Sequence, residues 1–117
     1  MKVAIIGYGF VGKAIENALH DSVELYLVDP ILKTKIVELS NFKPEIIFVC
    51  VPTPMTQDGN FDLSMVKDVA GRFIQGKLLV IKSTITPSAA EELVNKYPMH
   101  TFVFPNLRLP DFLSTQH

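Results

Sequence analysis

Apolar positions along the chain alternate between short continuous runs and stretches spaced at three and four residues. Lys2 to Ile6 is a β-branched run that stops at Gly7, and Val11, Ala14, Ile15, Ala18 and Leu19 then repeat with helical period. Val23 to Val28 reads as a second strand, ended by Asp29 and Pro30, because proline cannot continue a central ladder. Pro30 to Pro44 is only fifteen residues with both prolines counted, so any helix between them is short. Glu45 to Val51 is almost wholly apolar, the pattern of a parallel strand covered on both faces. Ser64 to Gln75 carries Val66, Val69, Ala70 and Phe73 on one helical face, with Gly76 placed to stop it. Lys77 to Lys82 is a fourth strand. Thr86 and Pro87 open a helix with Ala90, Leu93, Val94 and Tyr97 as its expected buried stripe, and Thr101 to Phe104 is a fifth strand.

Strands alternating with helices imply parallel pairing, so the fold class is α/β: a doubly wound, Rossmann-type sheet of about five strands with flanking helices. Residues 1–105 are expected to form this one domain and residues 106–117 an irregular tail. At 117 residues and 48% hydrophobic, the chain can bury a core of ordinary size. A net charge of -1 supplies no electrostatic footprint for nucleic acid or an anionic membrane, which points to small molecules or proteins as partners. The single cysteine, Cys50, lies inside an apolar run, which fits a reducing compartment and a cytoplasmic location. The opening apolar stretch is short and glycine-interrupted, so it reads as a strand and not as a signal peptide. No run approaches the ~20 residues of a membrane span. The three histidines, His20, His100 and His117, have no metal-ligand spacing, and no metal is expected.

Chemistry enters at G-Y-G-F-V-G, residues 7–12, which sits between the first strand and the first helix. Gly7 would make the tight turn, Gly9 would admit a pyrophosphate to the backbone, and Gly12 would let the helix pack close to the strand. Phe10 and Val11, in the first turn of that helix, are counted with the cofactor-binding residues, since phosphates favour a helix N-terminus. The same glycines could instead merely close a strand-to-helix turn. Asp29, at the end of the second strand and 22 residues after Gly7, is placed to accept hydrogen bonds from an adenosine ribose. Its carboxylate would repel a 2'-phosphate, so NAD is the expected cofactor and NADP is disfavoured, with Lys33 and Lys35 near enough in sequence to soften the repulsion slightly. Taken alone, Asp29-Pro30 would be an ordinary turn start.

Three further motifs occur in order: V-P-T-P (Val51 to Pro54), D-L-S (Asp62 to Ser64) and K-S-T-I-T-P (Lys82 to Pro87). With the glycine motif they resemble the N-terminal NAD-binding domain of UDP-glucose and GDP-mannose 6-dehydrogenases, in a short form like those of some phages. The resemblance implies that Val51, Pro52 and Thr53 line the dinucleotide, and that Thr84 lies near the nicotinamide as the one catalytic candidate. An ordinary Asp58-Gly59 turn is the competing reading of the first stretch, and the end of a strand before a helix is the competing reading of Thr84.

The resemblance also implies oxidation at C6 of a nucleotide sugar through a cysteine nucleophile. Cys50 is not that cysteine, because it precedes V-P-T-P inside an apolar strand, where it reads as a small buried hydrophobe. Where the family has N-P-E-F-L-R, this chain has F-P-N-L-R-L, with Asn106 in place of a carboxylate base. The expectation is a truncated NAD-binding domain, inactive alone, with a second copy of the chain (a homodimer) or a separate chain carrying the substrate domain as candidate partners. A non-catalytic nucleotide-binding or protein-interaction module is the alternative.

Overall fold

The computed structural model describes residues 1–19, 21–59, 62–72, 78–83, 85–96 and 101–103. Five strands form one parallel sheet: β1 (Lys2–Ile6), β2 (Glu24–Val28), β3 (Ile46–Val49), β4 (Leu78–Ile81) and β5 (Thr101–Val103), in the order β2-β1-β3-β4-β5. Interior strand β1 pairs with β2 on one side (Ile5 opposite Leu27) and with β3 on the other (Ile5 opposite Phe48). The expected α/β sheet of parallel strands is therefore present.

Two faces of the sheet bury different helices. α1 (Phe10–Ala18) sends Ile15, followed by Leu19, against Val3, Ile5, Ile46, Phe48 and Val80. On the opposite face Ala4, Ile6, Ile47, Val49, Leu79 and Ile81 meet Leu39, Val66, Val69 and Leu93. Those four come from α2 (Leu39–Phe42), α3 (Ser64–Arg72) and α4 (Pro87–Lys96). Strand residues are buried on both faces, which is why β3 and β4 read as continuous apolar runs.

The crossover from β2 to β3 is as short as its length requires: two single 3-10 turns, Pro30–Leu32 and Ile36–Glu38, run into the four-residue α2. Thr86 caps α4 by accepting the Ala89 N–H at 3.2 Å, with Pro87 in the first position, as expected. One expectation needs correcting. The buried line of α4 is Ala89 and Leu93, while Ala90 is half-buried and Val94 is exposed. Positions four apart share a face, so with Leu93 inward the next inward site toward the N-terminus is Ala89. Phe73, Gly76, Tyr97, Phe104 and the tail 106–117 lie outside the described residues.

Candidate dinucleotide site

The chain leaves β1 for one side of the sheet and β3 for the other, so a crevice opens between their carboxyl ends, the place where open α/β sheets receive ligands. Gly7 follows β1 there with φ of +97°, a conformation that side chains rarely adopt. A Cβ on it would stand 2.6 Å from the Cys50 carbonyl oxygen and 2.9 Å from the Val51 nitrogen. The glycine turn and the start of V-P-T-P are thus in backbone contact. Gly12 is equally constrained, since a Cβ would meet the Gly7 carbonyl oxygen at 2.3 Å. Gly9 differs from both: nothing lies within 4 Å of its added Cβ. That open space lies beside the N-terminus of α1, where a phosphate group would be favoured, and it separates Gly9 from the two glycines that packing requires.

Asp29 joins this turn directly. Its Oδ2 accepts the Tyr8 N–H at 2.7 Å and its Oδ1 accepts the Ile31 N–H at 2.9 Å. A carboxylate offers about four lone-pair sites, so two remain for ribose hydroxyls. Beside it the Tyr8 hydroxyl hydrogen-bonds Glu16, which raises the phenol above its ordinary range, and Lys13 lies over the Tyr8 ring at 5.5 Å. The Tyr8 side chain is therefore held along α1. Phe10 is 86% exposed at the helix start, and Val11 is half-buried against the sheet.

Val51 is buried, Thr53 half-buried and Pro52 exposed. Beyond them the loop closes on itself: the Asp62 N–H reaches the Pro54 carbonyl at 2.7 Å, and the Gly59 N–H reaches that of Thr56 at 3.1 Å. Gly59 has φ of +85° and Asp58-Gly59 makes a turn, with an isolated bridge at Met55 ahead of it. Asp62 accepts both the N–H and the hydroxyl of Ser64, which hold its carboxyl below the usual range at the start of α3. Ser83 donates its hydroxyl to the Val51 carbonyl at 2.8 Å and so fastens the end of β4 to the start of V-P-T-P. Thr84 lies outside the described residues.

Cys50 packs among apolar side chains, and burial pushes its thiol up to about 12, so it is protonated at neutral pH. That disfavours it as a nucleophile. Lys82, just past the end of β4, is buried, and burial lowers its ammonium below the ordinary lysine range. Sequence reading named Lys82 only as the start of K-S-T-I-T-P, with no role of its own, and passed over Thr34, whose hydroxyl touches Asp29. No pattern marks Thr34. Among the described residues no group of three or more His, Cys, Asp or Glu could hold a metal ion, and no helix is long and apolar enough to cross a membrane.

Comparison with solved structures finds likenesses that include the following three. A UDP-glucose dehydrogenase from the archaeon Pyrobaculum islandicum is 22% identical with a TM-score of 0.58, over 87% of this chain and 34% of that one. GDP-mannose dehydrogenase from Pseudomonas aeruginosa, solved as a ternary complex, is 16% identical with a TM-score of 0.58, over 88% and 35%. A point mutant of flavodoxin from Pseudomonas aeruginosa is 19% identical with a TM-score of 0.50, over 95% and 85%. At these identities the likenesses speak to fold, and the chain spans about a third of the two dehydrogenases it matches. Comparison with curated proteins returns no match. The sequence profile of the UDP-glucose/GDP-mannose dehydrogenase family NAD binding domain matches residues 13–103, starting just after the glycine turn. NAD is accordingly the cofactor, and the chain belongs to the UDP-glucose/GDP-mannose dehydrogenase family as its NAD-binding domain.

Proposed function

We propose that this chain is the cofactor half of a nucleotide-sugar dehydrogenase, and that by itself it binds NAD and oxidises nothing. The observation that carries the reading is the open space at Gly9, set between two glycines that packing fixes and beside a carboxylate already oriented by the turn. When bound, NAD would accept a hydride from the sugar carbon being oxidised. The residues of the chain would bind and orient it. The N-terminus of α1, approached past Gly9, Phe10 and Val11, favours the pyrophosphate. The free lone pairs of Asp29 would take the ribose hydroxyls and repel a 2'-phosphate. Val51, Pro52 and Thr53 would line the dinucleotide along the crevice wall, and Thr84 would stand near the nicotinamide.

Oxidation also needs a nucleophile and a sugar site. Cys50 is the chain's one cysteine, and its protonated, packed thiol is unsuited to attack. A separate chain bearing a substrate domain would supply the rest, in keeping with a cytoplasmic, truncated family member. The test is NADH absorbance at 340 nm after the pure chain is mixed with NAD and UDP-glucose or GDP-mannose. No signal is expected, together with saturable NAD binding. NADH formation by the chain alone would overturn the reading of an incomplete enzyme, and absence of NAD binding would overturn the cofactor half.

A further inference from the structure

We infer that Thr34 is a positioning residue for cofactor choice, acting through Asp29, an inference that rests on the NAD reading above. β2 is the edge of the sheet beside β1. The Glu24 N–H and the Val28 carbonyl face β1, bonding the Met1 carbonyl at 2.9 Å and the Gly7 N–H at 2.8 Å. By alternation, the Leu27 carbonyl and the Asp29 N–H point away from β1, where no further strand receives them among the described residues. Thr34 takes both. Its hydroxyl donates to the Leu27 carbonyl at 2.8 Å and accepts the Asp29 N–H at 2.9 Å. The Thr34 N–H adds a bond to the Asp29 carbonyl at 3.3 Å.

The chain bends sharply to make this clasp. It turns through Pro30–Leu32 and places Lys33 at φ of 57°, an uncommon conformation for a side-chain-bearing residue. The consequence falls on the acid. With its N–H and carbonyl both held, Asp29 keeps an extended backbone (φ −163°, ψ 141°), which fixes the direction of its side chain and brings Oδ2 to the Tyr8 N–H. A carboxylate aimed at the turn is what separates a ribose hydroxyl from a 2'-phosphate. Loosening the clasp would let the carboxylate swing, so affinity for NAD should fall while NADP loses part of its penalty.

Calorimetric titration of the full chain with NAD and NADP tests this on the wild type, Thr34→Val, Thr34→Ser and Asp29→Asn, and on Thr34→Val combined with Asp29→Asn. Thr34→Val is expected to weaken NAD by about fivefold, the worth of roughly one hydrogen bond, and to narrow the NAD-over-NADP preference. Thr34→Ser should keep both. In the Asp29→Asn background Thr34→Val should leave the preference unchanged, as a residue acting through Asp29 must. Equal weakening of NAD and NADP, or an unchanged preference in Thr34→Val, would overturn the positioning role and leave NAD binding standing. A wild type that binds neither nucleotide would overturn the NAD reading itself. Should Thr34→Val fail to fold, Thr34→Ala carries the same comparison at a half-buried position.

Discussion

The two loops at the carboxyl end of the sheet are built on opposite principles. In the glycine turn, the backbone touches other backbone: Gly7 meets Cys50 and Val51, Gly12 meets Gly7, and Asp29 reaches across from β2 to the Tyr8 N–H. In V-P-T-P and its continuation, described residues between 54 and 62 bond one another: Pro54 with Asp62, Thr56 with Gly59 and Thr56 with Asp58. The first loop is defined by what approaches it, whereas the second holds its own shape and is fastened to the sheet at Val51 by Ser83. A site needs both: a surface left open by close packing, and a wall that keeps its form.

The sharpest way to break this contrast is to add one carbon to each glycine in turn. Gly12→Ala forces a Cβ to within 2.3 Å of the Gly7 carbonyl oxygen. It should cost about 2–3 kcal/mol as overpacking, and lower the unfolding midpoint by roughly 10 degrees. A Cβ added at Gly9 meets nothing within 4 Å, so Gly9→Val enters open space. Its stability should stay within about 1 kcal/mol of wild type, the loss being one of helix-cap preference, while NAD affinity collapses. Equal losses of stability at the two positions, read by thermal unfolding, would erase the distinction between packing glycine and ligand glycine.

Smaller effects are expected on the other loop. Ser83→Ala removes the hydroxyl bonded to the Val51 carbonyl and should cost about 1 kcal/mol, with a modest weakening of NAD if V-P-T-P lines the cofactor. A denaturant titration paired with calorimetry would separate the two. Between the loops, Cys50 should resist modification. With its thiol pushed up to about 12 from an ordinary 9.0, its thiolate population near pH 8 falls about a thousandfold, so iodoacetamide should label the unfolded chain far faster than the native one. The same shift has a sign for stability. Below about pH 9 both folded and unfolded chains hold the proton; above it the unfolded chain releases it first, so stability declines as pH rises from about 9 toward 12. The smallest effect belongs to Asp62, whose lowered carboxyl stabilises the start of α3 at neutral pH. That contribution is lost as the pH falls below the ordinary carboxylate range, and Asp62→Asn should flatten that part of the acid unfolding curve.

The same contrast explains how much could be read from the chain. Gly7 and Gly12 are demanded by backbone contacts, and such demands leave glycines at fixed spacing, so the turn, α1 and the acid at the end of β2 were all legible. Strands β3 and β4 were legible because burial on both faces leaves continuous apolar runs. Val94 was misassigned because a helix face in a short amphipathic segment is set by where the helix meets the sheet, and a rotation of one residue leaves much the same apolar count. The role proposed for V-P-T-P rests on a family resemblance, because prolines and Asp-Gly describe a self-closing loop whether or not a ligand sits beside it. Thr34 was invisible: one hydroxyl bridging two edge groups leaves no periodicity and no motif.

The central claim is that Gly9 faces the cofactor while its two neighbours in the motif face the protein. Thermal unfolding of wild type and Gly9→Val, each with and without NAD at about 100 times its dissociation constant, tests it directly. Binding at that level stabilises by about 2.7 kcal/mol. The expected result is two proteins with closely similar midpoints in the absence of NAD, of which only the wild type rises when NAD is added. Equal rises in both, or a wild type indifferent to NAD, would contradict it.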